Sequence, residues 1–173
     1  NGALIWQGDR EHEFQLAWFD RGGKQGESIG LPVKTNTADA TRLSPDGKRA
    51  LVDRRDPQTR NLDIWVIDLA HKLFTRLTTD PGNDQTPIWS PNGSRAVFLA
   101  SRGGVSSLYQ KDINGGGVEE LLLKGGYVPL DWTPDGQFII LSLTAAKSRR
   151  DVWALRLSGN PQPSPLLNTE FDE

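Results

Sequence analysis

One tetrapeptide, returning at a near-constant interval, limits what this chain can fold into more than any other feature. Ser44-Pro45-Asp46-Gly47, Ser90-Pro91-Asn92-Gly93 and Thr133-Pro134-Asp135-Gly136 begin 46 and 43 residues apart. Proline at the second place presets φ for a type I turn, Asp or Asn tolerates the third, and Gly accepts the strained fourth. An apolar run follows each: Arg49-Ala50-Leu51-Val52, Arg95-Ala96-Val97-Phe98-Leu99-Ala100 and Phe138-Ile139-Ile140-Leu141. A second marker recurs in phase, in Gln15-Leu16-Ala17-Trp18-Phe19-Asp20, Asp63-Ile64-Trp65-Val66-Ile67-Asp68, Ser107-Leu108-Tyr109-Gln110-Lys111-Asp112 and Asp151-Val152-Trp153-Ala154-Leu155-Arg156. From Leu16 through Ile64 and Leu108 to Val152 the steps are 48, 44 and 44 residues. Two independent markers with one period define a repeat.

Each unit reads as four short antiparallel strands, a to d. In the second unit they span 39–43, 49–54, 62–68 and 73–77; in the third, 86–89, 95–100, 106–111 and 118–123; in the fourth, 128–132, 138–143, 151–157 and 164–167. The first unit lacks strand a and has 3–7, 14–20 and 26–30. The units divide the chain at about 1–36, 37–80, 81–124 and 125–173. No window holds a capped helical period. Strands b and c are apolar on both faces, whereas a one-faced sheet would alternate with polar residues. Four-stranded sheets stacked face to face around an axis bury both faces, and a repeat of roughly 40–45 residues is the period of such blades. The expected fold is all-β: a β-propeller of about four blades of four antiparallel strands, one blade incomplete. A β-sandwich is the alternative, but a sandwich has no reason to space its turns regularly. An open arc would leave two apolar blade faces exposed. The segment is therefore expected to be part of a larger ring, to pair with a second copy as a homodimer completing an eight-bladed ring, or to close as a distorted four-bladed ring. A monodisperse monomer in light scattering would remove the pairing.

Composition narrows the function. Twenty Lys+Arg against 22 Asp+Glu, a formal charge of −2, argue against a nucleic-acid partner. No apolar stretch approaches the ~18 residues of a membrane span, so no direct membrane insertion is expected. The absence of Cys removes disulfides, thiolate metal sites and cysteine nucleophiles. The absence of Met points to a processed or excised form.

The turn in its Trp89-Ser90-Pro91-Asn92-Gly93 and Trp132-Thr133-Pro134-Asp135-Gly136 forms, the Asp63–Asp68 strand and the Leu77-Thr78 exit resemble TolB-like, WD40-like propeller repeats. Unit two departs from the pattern with Arg42-Leu43 where an aromatic usually stands, and unit four with Arg156 in place of the turn Asp. Leu16-Ala17-Trp18-Phe19-Asp20-Arg21-Gly22-Gly23-Lys24 and Asn61 to Leu69 also resemble the propeller that follows the kinase domain in some bacterial membrane-bound Ser/Thr protein kinases. That resemblance implies a sensor or interaction part outside the membrane. No kinase motif occurs in the chain itself.

Candidate chemistry is sparse. Gly26-Glu27-Ser28-Ile29-Gly30 matches a nucleophile elbow in letters, but a polar turn precedes it and Leu31-Pro32 follows where a helix is needed. His12 and His71, the two histidines, lie in a charged loop and a turn. Gly115-Gly116-Gly117 leads into a strand, not the helix N-terminus a phosphate cradle needs. Asn92-Gly93-Ser94 spells a glycosylation acceptor inside the repeated turn, which already accounts for its residues. Arg54, Arg55 and Arg60, with Arg149 and Arg150 after Ser148, form basic clusters in equivalent b–c loops and could share a surface for an acidic partner. Asp80, Asn83 and Asp84 in a d-to-a connection offer oxygen ligands of the type a hard cation takes. Asp131 on strand a is expected to face the axis. No catalytic residue, no cofactor and no metal centre is predicted. Trp18, Trp65, Trp153, Trp89 and Trp132 fall at repeat positions and read as packing between blades.

The expectation for function is a non-catalytic binding or sensor module of a larger bacterial protein, outside the cytoplasm, taking a protein or small-molecule ligand at its axial mouth or rim. The parent expected from the narrower resemblance is a Ser/Thr kinase; the alternatives are an accessory propeller of a serine peptidase and a TolB-type periplasmic scaffold.

Overall fold

The structure, a computed structural model, describes residues 3–8, 13–34, 41–56, 58–114, 116–144, 150–159 and 161–167. They form fifteen strands and no helix. β1 (Ala3–Gly8), β2 (Glu13–Phe19) and β3 (Gln25–Lys34) make the first sheet. β4 (Arg42–Leu43), β5 (Arg49–Arg55), β6 (Leu62–Asp68) and β7 (Leu73–Arg76) make the second. The third holds β8 (Asp84–Trp89), β9 (Arg95–Arg102), β10 (Val105–Asp112) and β11 (Glu120–Lys124). The fourth holds β12 (Val128–Trp132), β13 (Phe138–Thr144), β14 (Arg150–Arg156) and β15 (Pro163–Leu167). Every sheet is an antiparallel meander in chain order. The fold is an incomplete β-propeller with one three-stranded blade, as the repeat predicts.

The boundaries shift for local reasons. Two residues of β8, Thr86 and Pro87, oppose the single Phe98 of β9, so the pairing of β8 starts at Asp84 and not at 86. Thr86 takes φ 52° at this bulge, a strained value for a β-branched residue. β11 starts at Glu120, opposite Gln110, and the Glu119 carboxylate just before it reaches Arg102 and Lys111. β3 runs on through Leu31-Pro32 to Lys34, past a bulge at Gly30, which has φ 70°. β4 pairs only Arg42 and Leu43; positions 39 and 40 lie outside the described residues.

The three tetrapeptide turns are built alike. The Gly47, Gly93 and Gly136 amides each donate to the carbonyl three residues back at 2.8 Å, with φ of 68°, 67° and 74°. The Ser44 and Ser90 hydroxyls accept the Arg49 and Arg95 amides at 2.9 Å, and the Thr133 hydroxyl accepts the Phe138 amide at 3.0 Å. Each hydroxyl also meets the side chain of the third turn residue. Hydrogen bonds from the Ser44 hydroxyl and the Lys48 amide hold the Asp46 carboxyl below its ordinary range, and Thr133 and Gln137 do the same for Asp135.

Successive side chains of one strand enter different cores. Ala50, Val52 and Ile67 pack with Leu16 and Ile29 of the first sheet. Leu51, Ile64, Val66 and Leu77 pack with Trp89, Ala96, Phe98 and Ala100 of the third. Val97, Leu108 and Ile88 pack with Ile139, Leu141 and Leu155 of the fourth. The period-2 alternation of a strand thus feeds two cores from a run apolar at every position. At ~25 cal/mol per Å² of apolar area, each such fully buried side chain contributes about 1.5–3 kcal/mol before the entropy of ordering is set against it.

Candidate functional site

The first strand of each complete sheet lies innermost: β8 packs against β4 on one side and β12 on the other. At the end carrying the tetrapeptide turns, these three strands leave a hollow of about 340 Å³. Arg42, Leu43, Leu130 and Asp131 stand around it, over Trp89 and Trp132. Leu43 and Leu130 are 41% and 42% exposed. Asp131, expected at the axis, is there; its carboxylate accepts the Trp132 amide at 2.8 Å and is open to solvent. Arg42, Leu43 and Leu130 were not among the sequence candidates. The sequence signal nearest to them is the departure of unit two from the repeat, Arg42-Leu43 where the other units carry Trp89 and Trp132.

At the opposite rim, the acidic connection closes on a cation supplied by the protein. Arg102 lies 2.7 Å from Asp84, 3.3 Å from Asp80 and 2.6 Å from Glu119, and its guanidinium stacks 5.2 Å over Tyr109. Asp84 is fully buried, and burial pushes its carboxyl up to about 6 against the pull of Arg102 and Thr78. Burial works against the charge of Arg102, but Asp84 and Glu119 outweigh it and raise its proton affinity. Asn83 is a structural bridge whose side-chain oxygen accepts the Leu62 amide at 2.9 Å. Asp63, also fully buried, pairs with Arg76 at 2.7 Å, and burial raises its carboxyl despite that partner. Among the described residues no group of three or more side chains could hold a metal. Arg102 escaped the sequence reading because the bulge at Thr86 decides which face Asp84 presents. Without the bulge Asp84 would oppose Ser101; with it, Asp84 opposes Ala100, on the face shared by Arg102.

Arg54 and Arg55, expected in a b–c loop, are instead the last residues of β5, paired with Asp63 and Leu62, and their side chains are engaged. Arg54 lies 5.3 Å over the Trp65 ring and 5.9 Å over Phe74. Arg55 donates to the Arg60 carbonyl, closing its own loop. Arg149 lies outside the described residues, as do Ser148, His12 and Gly115; Arg150 is placed only as the first residue of β14. His71 meets Asp68 at 3.0 Å in an exposed turn. Ser28, in the elbow-like sequence, sits on β3 opposite Ala17, and the strand itself continues to Lys34 where an elbow would start a helix.

With this geometry in view, the likenesses to known proteins become specific. The family model described as TolB beta propeller domain matches residues 26–173. Tricorn protease homolog 1 of Streptomyces coelicolor is 28% identical over 103 residues, covering 57% of this chain and 10% of that protein. The uncharacterized peptidase YuxL of Bacillus subtilis is 29% identical over 110 residues, covering 58% of this chain and 16% of that protein. Among solved structures, TolB from Acinetobacter baumannii superposes with a TM-score of 0.80 at 24% identity, over 99% of this chain and 42% of that one. The propeller domain of the Trilobed protease from Pyrococcus furiosus, described as having an open velcro topology, superposes at 0.64 with 15% identity, over 96% and 53%. The chain therefore spans a small fraction of its curated relatives and under half of the TolB structure. Among the described residues no helix is long and apolar enough to cross a membrane.

Proposed function

The chain belongs to the TolB beta-propeller domain family, and from that membership we propose that it is a non-catalytic scaffold binding a protein partner at its axial mouth. The observation carrying this reading is the 340 Å³ hollow itself. Two exposed leucines, a carboxylate and an arginine surround it, and the central strand β8 is anchored in two apolar cores through Trp89 and Ile88, with Trp132 of β12 packed against the second. A rigid frame presenting apolar anchors with a few charges is the arrangement that partner recognition uses. Its place would be outside the cytoplasm, as a segment of a larger protein.

A photo-crosslinking residue at Leu130, in the full-length protein in its native cell, tests the reading. A discrete adduct at Leu130, absent with the same residue at Val118 on the outer edge, is expected. Adducts at Val118 but not at Leu130 would overturn it.

A second context has its own support. The relatives from Streptomyces and Bacillus are named as peptidases, and the Pyrococcus propeller belongs to a protease. In that context the chain would be the accessory propeller of a serine peptidase, with the nucleophile elsewhere. A hydrolase domain in the same gene, bearing a strand–elbow–helix nucleophile, would decide for it. The kinase context rests on the Leu16–Lys24 and Asn61–Leu69 resemblance alone, and a kinase domain followed by a membrane span upstream is what it requires.

A further inference from the structure

The seams between neighbouring blades are built from equivalent residues, but one is closed by hydrogen bonds and the next is not. Between the second and third sheets, Arg49 reaches across to the Gly93 carbonyl at 3.0 Å and lies 5.1 Å over the Trp89 ring. The Trp89 indole N–H donates back to the Arg42 carbonyl at 2.8 Å. Asn61 donates to Pro81 and the Thr86 amide to Asp53 across the same seam. One repeat later the same parts are present: Arg95 stands where Arg49 does, Trp132 where Trp89 does, and Gly136 where Gly93 does. Arg95 makes neither contact. Its side chain is exposed and, among the described residues, has no hydrogen bond, ion pair or ring stacking. The Trp132 indole N–H is buried without an acceptor. Among the described residues no hydrogen bond or ion pair joins the third and fourth sheets.

In place of that closure lies a groove of about 680 Å³, a volume in the range of ligand sites. Its walls are Pro91, Leu122, Trp132, Pro134, Leu157 and Pro161, and Arg95 stands at its edge. Asp135, Asn92 and Gln110 also line it, each with one side-chain atom held by a neighbour. Asp135 is held by the Thr133 hydroxyl and the Gln137 amide. The Asn92 side-chain oxygen accepts from Ser90 and Ser94, and Gln110 donates to Glu120. Among the residues lining the groove the one cationic side chain is Arg95, a guanidinium whose planar donors match a carboxylate.

We propose that this seam is a peptide-binding groove that takes an extended segment carrying a carboxylate side chain flanked by apolar residues. The carboxylate pairs with Arg95, and the flanking side chains lie on Trp132, Leu122 and Leu157. An extended chain is favoured over a compact molecule because the groove is continuous with the axial hollow. Ser90, Pro91, Trp132 and Pro134 line both. The inference rests on the scaffold reading and adds the chemistry of the partner.

The test is a titration of the full chain, ¹⁵N-labelled at tryptophan, with a pool of acetylated, amidated pentapeptides. Their form is Ser-X-Glu-X-Ser, with X drawn from Leu, Phe, Val and Pro. The indole signal of Trp132, assigned with Trp132→Phe, should shift. The best peptide should bind at least tenfold more tightly than its Gln counterpart. Arg95→Gln should remove that preference, while Lys48→Gln, the same charge change on the equivalent turn of the second sheet, should keep it. Three results would each overturn the proposal: no shift of the Trp132 signal with any peptide, equal affinity for Glu and Gln peptides, or benzoate binding as tightly as the best peptide. Loss of the seam signal with the Leu130 adduct retained would reject the groove and leave the axial reading standing.

Discussion

Asp84 shows how much a single buried carboxylate controls. Its folded-state value, about 6, lies above the ordinary value of 3.8, because burial costs the charged form more than Arg102 returns. A raised value means that the protonated acid favours the fold. That contribution is fully present below about pH 4 and is lost as pH rises through 6, a change of about 2–3 kcal/mol. Asp63, raised by the same cause, acts in the same sense. Urea unfolding at pH 4.5 and 7 should therefore show Asp84→Asn with a flatter pH dependence than the parent chain; an unchanged slope would contradict the assignment. Gly82 makes a different demand. A Cβ there would overlap the Ser101 carbonyl oxygen, which belongs to the backbone and cannot swing away. Gly82→Ala is expected to cost about 1–3 kcal/mol in the same assay, in the range of overpacked sites.

The turn and the seam are the recurring elements. In the turn, the hydroxyl at the first position holds the amide five residues on, so Ser90→Ala and Thr133→Ala each lose that bond. Ser90 is 4% exposed, while Thr133 is half-buried. An amide left unsatisfied away from water costs ~1–3 kcal/mol, and water replaces a partner nearer the surface. Thermal unfolding should place Ser90→Ala below Thr133→Ala; the reverse order would mean that the turns differ in something other than burial. The seams give a paired experiment. Arg49→Ala removes a hydrogen bond and a ring stack and should cost about 1–2 kcal/mol. Arg95→Ala removes neither and should stay within about 0.5 kcal/mol. Both turn chemistry and strand order were legible in the sequence, because they depend on neighbours within a few residues. The difference between the two seams was not, since Arg49 and Arg95 stand in the same local sequence pattern and differ only in what faces them.

Across the whole molecule, stability should grade with the number of faces each sheet has covered. The third sheet is packed on both sides, with Phe98 entering one core and Val97 the next. Amide exchange should be slowest along β9 and fast along β15, whose residues from Ser164 to Leu167 are exposed. In low denaturant, β13 and β14 should lose protection before β5 and β6, because apolar packing alone joins the fourth sheet to the third among the described residues. Loss in the opposite order would show that cross-seam hydrogen bonds do not govern how blades separate.

The amino-acid sequence by itself determined the repeat, the fifteen strands, their antiparallel order and the two-faced burial that makes them blades. These follow from turn residues and side-chain period, which are local. The tertiary structure decided which charges meet. A one-residue bulge at Thr86 turns Asp84 toward Arg102, and the reach of one arginine but not its counterpart leaves a groove in one seam. The first depends on the register of β8 against β9 and the second on the spacing of neighbouring sheets, which a repeat can specify on average but not residue by residue.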